Sequence, residues 1–334
     1  MSKPRILAPD AYLPDWDIEE SVVQGRLDFV VRNELEAAAV PEELWREADG
    51  VLVWHRMKLR RETIDLLDRC KQIVRVGVGF DNVDVDACRE RGIVVCNVPN
   101  YGTTDVADHA IALLFNLARG VDVYQARLRD HPETAFLEWE APVVRRLRGA
   151  VFGGVGMGRI GTAIARRARA ADMRVVYYDP HVPEGHDLGL GFERVESLEE
   201  LLRVSDVVSL HAPLSSQTRN IISHDQIAQM RKGSILINVA RGGLIDMDAL
   251  EQSLRSGHID AAGMDVLPSE PPRPEHPLFT AWRKREPWLE GRLMITPHIA
   301  FYSAAAYRDM RSLSVTVLLD YLLNGRLRNH VNAV

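Results

Sequence analysis

Short apolar runs separated by polar segments recur along almost the whole chain. In the first hundred residues these runs are Ile6–Ala8, Leu27–Val31, Val51–Trp54, Ile73–Val76 and Ile93–Cys96. Later in the chain they are 151–155, 173–178, 206–210, 234–238, 263–266 and 293–296. Continuous apolar runs of this length are typical of strands buried on both faces of a parallel sheet. The pattern therefore predicts two α/β units of similar style.

The polar segments between these runs carry helix signals. Pro41 precedes two glutamates, which marks a helix start, and residues 61–67 have helical character. Thr103 or Thr104 is expected to begin a long apolar helix through Ala118, and the last thirty residues have helical periodicity that ends at Gly325. Two stretches lack such signals: 121–148, which contains Trp139, is predicted to be an irregular arm, and 268–292 a long loop.

The stretch 151–179 has the pattern of a dinucleotide-binding fingerprint. Gly156, Gly158 and Gly161 form G-x-G-x-x-G between a predicted strand and helix, and Asp179 ends the next strand 18 positions after Gly161. The glycines allow a tight turn, close approach of the backbone to a diphosphate, and close packing of helix on strand. The following helix presents unpaired N–H groups to the phosphates. A carboxylate at Asp179 accepts hydrogen bonds from ribose hydroxyls and repels a 2′-phosphate, which favours NAD over NADP.

Composition limits the classes of function. The 334 residues carry a formal net charge of −6, with 46% hydrophobic and 26% charged residues, as in an ordinary globular protein. This charge gives no indication of nucleic-acid or membrane binding. Cys70, Cys88 and Cys96 are widely spaced and are expected to be reduced, which together with the lack of a signal peptide or membrane span predicts a cytoplasmic protein. No histidine or cysteine spacing indicates a metal site.

Three polar residues beyond predicted strand ends match the chemistry of a nicotinamide enzyme that acts beside a carboxylate. Arg241 would hold the carboxylate in a planar fork, His298 would exchange the hydroxyl proton, and Glu270 would orient the imidazole. Taken alone, Arg241 in such a place is more often a strand-end salt-bridge partner, and His298 a capping or core histidine.

Other positions are weaker candidates. His211 is expected in a loop beside the cofactor, and His55 is either a substrate contact or a surface residue. Gly77-Val78-Gly79 offers successive backbone N–H groups, which form either a carboxylate-binding nest or an ordinary strand-to-helix turn.

Six stretches resemble the D-isomer-specific 2-hydroxyacid dehydrogenase family, over essentially the full length. They are VRVGVGFDNVD, VCNVPNYGTTDVADHA, FGGVGMGRIG, INVARGGLIDMDAL, GMDVLPSEPP and TPHIAFYS. WHRMKL, VYYDP and the aromatic-Tyr-Ser after His298 make the chain most similar to the C-terminal-binding-protein branch.

The resemblance implies an NAD-binding Rossmann domain at 102–299 and a discontinuous, flavodoxin-like substrate domain at 1–101 and 300–334, with a cleft between them. It implies a homodimer through the helix and arm after residue 101. It assigns Arg241, Glu270 and His298 to catalysis, and His55, Val78, Gly79, Arg241 and Phe301 to the substrate. Implied cofactor contacts are Gly156, Gly158, Arg159, Ile160, Gly161, Asp179, His211, Pro213, Thr218, Val239, Ala240, Arg241, Asp265, His298 and Val106.

Departures from the family pattern affect the expected function. Phe301 stands where the most similar branch has Trp, so the substrate pocket differs, and the chain lacks the long tail of the animal co-repressors. The expected function is an NAD-dependent 2-keto acid reductase, or D-2-hydroxyacid dehydrogenase, whose acid and direction are not specified by the sequence. The alternatives are an NAD(H)-sensing scaffold with little turnover and a phosphite-type dehydrogenase.

Overall fold

The computed structural model describes residues 3–12, 15–136 and 140–332. Within them the chain forms two compact units. Unit 1 is Met1–Gly102 with Tyr302–Val334, and unit 2 is Thr103–Phe301. Trp139, which the sequence places in an arm, lies outside the described residues.

The elements alternate between strand and helix through most of the chain. The strands are β1 Arg5–Ala8, β2 Asp28–Val31, β3 Gly50–Val53, β4 Gln72–Arg75, β5 Val94–Cys96, β6 Val151–Val155, β7 Arg174–Tyr178, β8 Glu193–Arg194, β9 Val207–Leu210, β10 Ser234–Asn238, β11 Ile259–Met264 and β12 Leu293–Ile295. The α-helices are α1 Asp17–Val23, α2 Glu42–Glu47, α3 Arg61–Ile64, α4 Val85–Glu90, α5 Thr103–Arg119, α6 Val121–Asp130, α7 Arg159–Ala170, α8 His186–Leu190, α9 Leu198–Val204, α10 His224–Gln229, α11 Met247–Ser256, α12 Pro277–Arg283 and α13 Ala304–Asn324. Short 3₁₀ turns lie at Ala37–Ala39, Gly242–Leu244 and Pro287–Leu289.

Unit 1 is built on a parallel sheet whose described strands have the order β2-β1-β3-β4-β5. This is the flavodoxin-like order, as the sequence predicts. Helix α13 packs on β4 and β3, which explains why residues from the end of the chain belong to this unit. At one edge, Asn332 accepts a hydrogen bond from the Val95 N–H and donates one to the Ile93 carbonyl, so the last described residues cover β5.

Unit 2 has a parallel sheet with the order β12-β11-β10-β9-β6-β7-β8 among its described strands. The direction of winding reverses between β6 and β9, as in a doubly wound Rossmann sheet, so the predicted fold class is confirmed for both units. Apolar clusters lie on both faces of the sheet, one around α5 and α7 and the other around α9, α10 and α11. The strands read as continuous apolar runs because both faces are covered.

Three predicted elements differ from the structure. The stretch after residue 120 begins with helix α6 and is not irregular throughout. The expected loop 268–292 contains α12, which has Pro277 in its first turn, and a 3₁₀ turn. Strand β11 begins at Ile259, four residues before the predicted start, because pairing with β10 holds Ala261 and Ala262 in the sheet despite their weak strand preference.

Candidate functional site

The predicted cofactor and catalytic residues of unit 2 lie at the carboxyl edge of its sheet. The glycine loop follows β6, Asp179 follows β7, and the loop containing His211, Pro213 and Thr218 follows β9. Val239, Ala240 and Arg241 follow β10, Asp265 follows β11, and His298 follows β12. Val106 lies in the first turn of α5, which packs on β10 and β11. In an open α/β sheet this edge is where ligands bind.

The loop after β6 has the shape that a dinucleotide diphosphate requires. A Cβ atom on Gly156 would lie 3.0 Å from backbone atoms of His211 and Ala212, and one on Gly161 would lie 2.2 Å from the Gly156 carbonyl oxygen. A Cβ atom on Gly158 would meet no atom within 4 Å. Two glycines are therefore required by close packing, whereas Gly158 leaves open space in front of the first turn of α7. The residues present fit a bound dinucleotide.

The Asp179 carboxylate is oriented by the loop that it faces. Its two oxygens accept hydrogen bonds from the Met157 N–H at 2.7 Å and the His181 N–H at 2.8 Å. Each carboxylate oxygen can accept a second hydrogen bond, and the residue is half-buried. The carboxylate can thus bind ribose hydroxyls while it fixes the glycine loop.

His211 follows β9, the strand that pairs with β6 where the winding of the sheet reverses, so it lies beside the glycine loop. Its N–H donates to the Val155 carbonyl at 2.8 Å, and its ring nitrogens are buried without a hydrogen-bond partner among the described residues. Burial lowers the pKa of His211 to about 3, because the charged form would lose its hydration. Its imidazole is therefore neutral at physiological pH. In the same loop, the Thr218 hydroxyl donates to the Pro213 carbonyl at 2.6 Å.

Arg241 is carried by a turn that is fixed on two sides. The buried Asn238 side chain donates to the Arg241 carbonyl at 2.9 Å and accepts from the Ala240 N–H at 3.0 Å. A Cβ atom on Gly242 would lie 1.9 Å from the carbonyl carbon of Leu267. The backbone after Arg241 therefore packs directly on the segment that leads to Glu270.

His298 and Glu270 are in direct contact. The His298 Nδ1 atom lies 2.7 Å from Glu270 Oε2, and Glu270 Oε1 accepts from the Leu267 N–H at 2.9 Å. Because an ionised carboxylate only accepts, the proton on this side of the ring belongs to Nδ1, which leaves Nε2 for other chemistry. The side chains are 25% and 33% exposed, so the pair is accessible. The Phe301 ring packs edge-on against His298 with centroids 6.5 Å apart.

Asp265 holds the loop that presents His298. Its carboxylate is 1% exposed and accepts from the Thr296 hydroxyl at 2.6 Å and from the N–H groups of Ile299 and Ala300, each at 2.9 Å. The His298 N–H donates to the Asp265 carbonyl at 2.8 Å. His298 has a φ of 53°, which is uncommon outside glycine, and these bonds keep it in that conformation.

The predicted substrate residues of unit 1 lie at the carboxyl ends of two neighbouring strands. His55 follows β3 and is exposed, with its ring 6.1 Å from that of Tyr12. The buried Asp10 carboxylate accepts from the N–H groups of Trp54 and Met57 and so fixes the His55 loop. Burial raises the pKa of Asp10.

The Val78–Gly79 turn follows β4. The Gly77 N–H donates to the Arg75 carbonyl at 2.9 Å, so the predicted nest does not extend to Gly77. Among the described residues, the N–H groups of Val78 and Gly79 have no backbone acceptor, as a nest requires. The Asn97 side chain donates to the Val78 carbonyl at 2.7 Å and holds the turn.

The sequence reasoning did not identify three residues that organise the site. Asn238, Thr296 and His109 position loops; each stands in one of the six family stretches, but the resemblance assigns none of them a role. Asn238 and Thr296 could have been found as polar residues at the ends of buried strands. His109 lies in an apolar helical stretch, where nothing in the local pattern indicates a positioning role.

Other features of the described residues bear on function. They contain no cluster of three or more His, Cys, Asp or Glu side chains arranged to hold a metal ion. None of their helices is both long and apolar enough to cross a membrane. Cys70, Cys88 and Cys96 are free and buried, and burial raises the pKa of Cys70 and Cys88 to about 12.

Comparison with known proteins relates this geometry to one family. Residues 111–300 match the family model described as D-isomer specific 2-hydroxyacid dehydrogenase, NAD binding domain. D-3-phosphoglycerate dehydrogenase from Methanocaldococcus jannaschii is 38% identical over 91% of this chain and 56% of its own length. C-terminal-binding protein 1 from Caenorhabditis elegans is 34% identical over 86% of this chain and 39% of its own length. The chain thus spans less than two thirds of either curated relative.

A solved structure is similar over the whole chain. D-lactate dehydrogenase from Aquifex aeolicus, complexed with NAD and lactic acid, has a TM-score of 0.84 and 28% sequence identity, and the match covers 98% of this chain and 99% of that one. Unit 2 is therefore an NAD-binding domain, and NAD(H) is the cofactor. The chain belongs to the D-isomer-specific 2-hydroxyacid dehydrogenase family.

Proposed function

We propose that this protein is an NAD-dependent oxidoreductase that interconverts a small 2-keto acid and its D-2-hydroxy acid. The observation that carries the proposal is the 2.7 Å contact between His298 and Glu270, beside the Arg241 turn in an NAD-binding domain. The lactic acid named with the Aquifex aeolicus enzyme is a 2-hydroxy acid, which supports this substrate class.

His298 is the acid/base. Glu270 accepts the Nδ1 proton, so Nε2 of the protonated ring donates to the carbonyl oxygen during reduction and takes the proton back during oxidation. Glu270 stabilises the positive charge that the ring carries in the reduction direction and keeps its orientation. Bound NADH supplies the hydride that reaches C2.

Arg241 binds the substrate carboxylate and polarises the carbonyl, because its planar guanidinium offers parallel donors that match a carboxylate. The turn held by Asn238 and Gly242 fixes the backbone that carries this guanidinium. Unit 1 is the substrate domain and contributes the Val78 and Gly79 amides and His55. Phe301, which packs on His298, contributes to selection of the substrate side chain.

The protein acts as a cytoplasmic homodimer. Exposed apolar side chains on α5, on α6 and after α6 support association through this segment: Phe115, Val121, Leu128 and Phe136 are 39%, 58%, 43% and 87% exposed. The three buried free cysteines fit a reducing compartment.

The test is NADH oxidation with a panel of glyoxylate, hydroxypyruvate, pyruvate and larger branched or aromatic 2-keto acids. We expect turnover with at least one small acid and its loss in His298→Ala, while NADH binding persists. NADPH serves as the cofactor control, and Arg283→Ala, which changes an exposed arginine on α12, as the control for substitution. Turnover that survives in His298→Ala would contradict the assigned role.

An NAD(H)-sensing scaffold is the second candidate, because C-terminal-binding protein 1 is among the relatives. Tight NADH binding without turnover on any acid of the panel would favour it and reject the dehydrogenase.

A further inference from the structure

We infer that His109 is a positioning residue that holds the His298 loop in its active conformation through Thr296 and Asp265. The inference rests on the proposed function, since it assigns His298 to proton transfer. His109 stands in one of the family stretches, but the resemblance assigns it no role, and it lies outside the contact between His298 and Glu270.

The direction of the hydrogen bonds connects His109 to the loop. Thr296 Oγ1 lies 2.6 Å from Asp265 Oδ1 and 2.9 Å from His109 Nε2. The Asp265 carboxylate can only accept, so the Thr296 hydroxyl donates its proton to Asp265. His109 must then donate from Nε2 to Thr296 Oγ1. The result is one series of donors from His109 to Thr296 to Asp265.

The Asp265 carboxylate, which accepts the last hydrogen bond of this series, also holds the His298 loop. Asp265 accepts from the Ile299 and Ala300 N–H groups, which directly follow His298 in sequence. His109 Nε2 lies 3.6 Å from Asp265 Oδ1, too far for a hydrogen bond, so His109 acts on this carboxylate through Thr296. If Thr296 were displaced, the hydrogen bonds that the Asp265 carboxylate accepts would change. Those hydrogen bonds keep His298 at its positive φ.

The position of His109 follows from the packing of α5. A Cβ atom on Gly263 would lie 3.1 Å from Leu113 Cβ, so the glycine lets α5 approach β11 closely. His109 is four residues before Leu113 and therefore lies on the same face of the helix. Asp265 is two residues after Gly263, which brings it beside His109.

The experiment compares His109→Leu with His109→Gln. Leucine removes the donor at similar size, whereas the glutamine amide can still donate to Thr296. We expect kcat to fall about tenfold in His109→Leu, as for one lost buried hydrogen bond, with little change in KM or NADH affinity. We expect most of the loss to be restored in His109→Gln. His224→Leu, an exposed change on α10, is the matched control and should retain wild-type kcat.

A double-mutant cycle with Thr296→Val tests the connection itself. If His109 acts through the Thr296 hydroxyl, His109→Leu should cause little further loss of kcat in the Thr296→Val background. Additive losses would overturn the inference, as would wild-type kcat in His109→Leu or equal losses in the leucine and glutamine variants.

A readout without turnover separates this inference from the proposed function. In the ligand-free protein with ¹³C-labelled histidine, the His298 ring signal is identified by its absence in His298→Asn. We expect this signal to broaden or split in His109→Leu and to match wild type in His109→Gln. An unchanged signal in His109→Leu would overturn the inference. A wild-type protein inactive on every 2-keto acid would instead reject the proposed function.

Discussion

Gly158→Ala and Gly161→Ala should have different effects, although both residues lie in the fingerprint loop. The first change should weaken NADH binding, and the second should destabilise the fold. In Gly158→Ala the new Cβ atom meets no atom within 4 Å, and the residue has φ −71° and ψ −161°, which any L-residue adopts. The free energy of unfolding should therefore change by less than about 0.5 kcal/mol. The methyl group would instead occupy space needed by a phosphate of NADH.

The magnitude for Gly158→Ala follows from the phosphate contact. Loss of one hydrogen bond to a charged group costs about 1.5–3 kcal/mol, which raises Kd for NADH about 10- to 150-fold. Isothermal titration calorimetry with NADH measures this change directly.

Gly161→Ala should damage the fold itself. Its Cβ atom would lie 2.2 Å from the Gly156 carbonyl oxygen, whereas such carbon–oxygen contacts are normally about 3.3 Å or longer. Overpacking of this kind costs about 1–3 kcal/mol, and the better helix propensity of alanine offsets up to about 1 kcal/mol. Because each kcal/mol shifts Tm by about 2–4 °C for a domain of this size, Tm should fall by several degrees. Normal NADH affinity in Gly158→Ala, or equal losses of Tm in both variants, would refute the reasoning.

Three further changes test other parts of the site. Arg241→Ala should lower kcat/KM about 10²- to 10³-fold, since an Arg–carboxylate pair is worth several kcal/mol, while Kd for NADH stays near wild type. Steady-state kinetics measure the first quantity and calorimetry the second. Near-normal activity would reject the assigned role of Arg241. Asp179→Ala should reduce the ratio of kcat/KM for NADH to that for NADPH at least about tenfold, because a charge that repels the 2′-phosphate is lost. An unchanged ratio would exclude the assigned contact between Asp179 and the ribose of the cofactor. The buried His211 ring should make stability depend on pH. The unfolded chain binds a proton at His211 below pH 6.5, and the folded chain only below about pH 3. Between these two pH values, the free energy of unfolding should fall by up to about 1.4 kcal/mol for each pH unit of acidification. Urea denaturation at pH 7.5 and 5.5 should show a smaller decrease in His211→Asn than in wild type, and an equal decrease would contradict the burial of a neutral ring.

The sequence predicted the sheets better than the covering helices, for physical reasons. Strands such as β10 are continuous apolar runs because helices cover both faces, and that signal is local. Helix α6 has no buried residue and gives no amphipathic pattern. Helix α12 begins at Pro277 in a proline-rich stretch, where composition favours a loop but proline in the first turn is compatible with a helix.

The site was predicted in part by the same local signals. Polar residues at strand ends placed Arg241 and His298 at one edge of the sheet, because parallel strands share that edge. The contact between Glu270 and His298 joins residues 28 positions apart, which spacing alone does not reveal. The network of His109, Thr296 and Asp265 depends on the close approach of α5 to β11 at Gly263. That approach is a property of tertiary packing and not of either segment alone.

The most direct test of the proposed chemistry follows the hydride itself. NADH carrying deuterium at both hydrogen positions of nicotinamide C4 would be incubated with hydroxypyruvate, or with another acid of the panel that is a substrate and gives a chiral product. Mass spectrometry and chiral chromatography would then report where the deuterium lies and which isomer forms. The account predicts one deuterium at C2 of a D-2-hydroxy acid, formed by wild type and not by His298→Ala. Product without deuterium at C2, or the L-isomer, would contradict it.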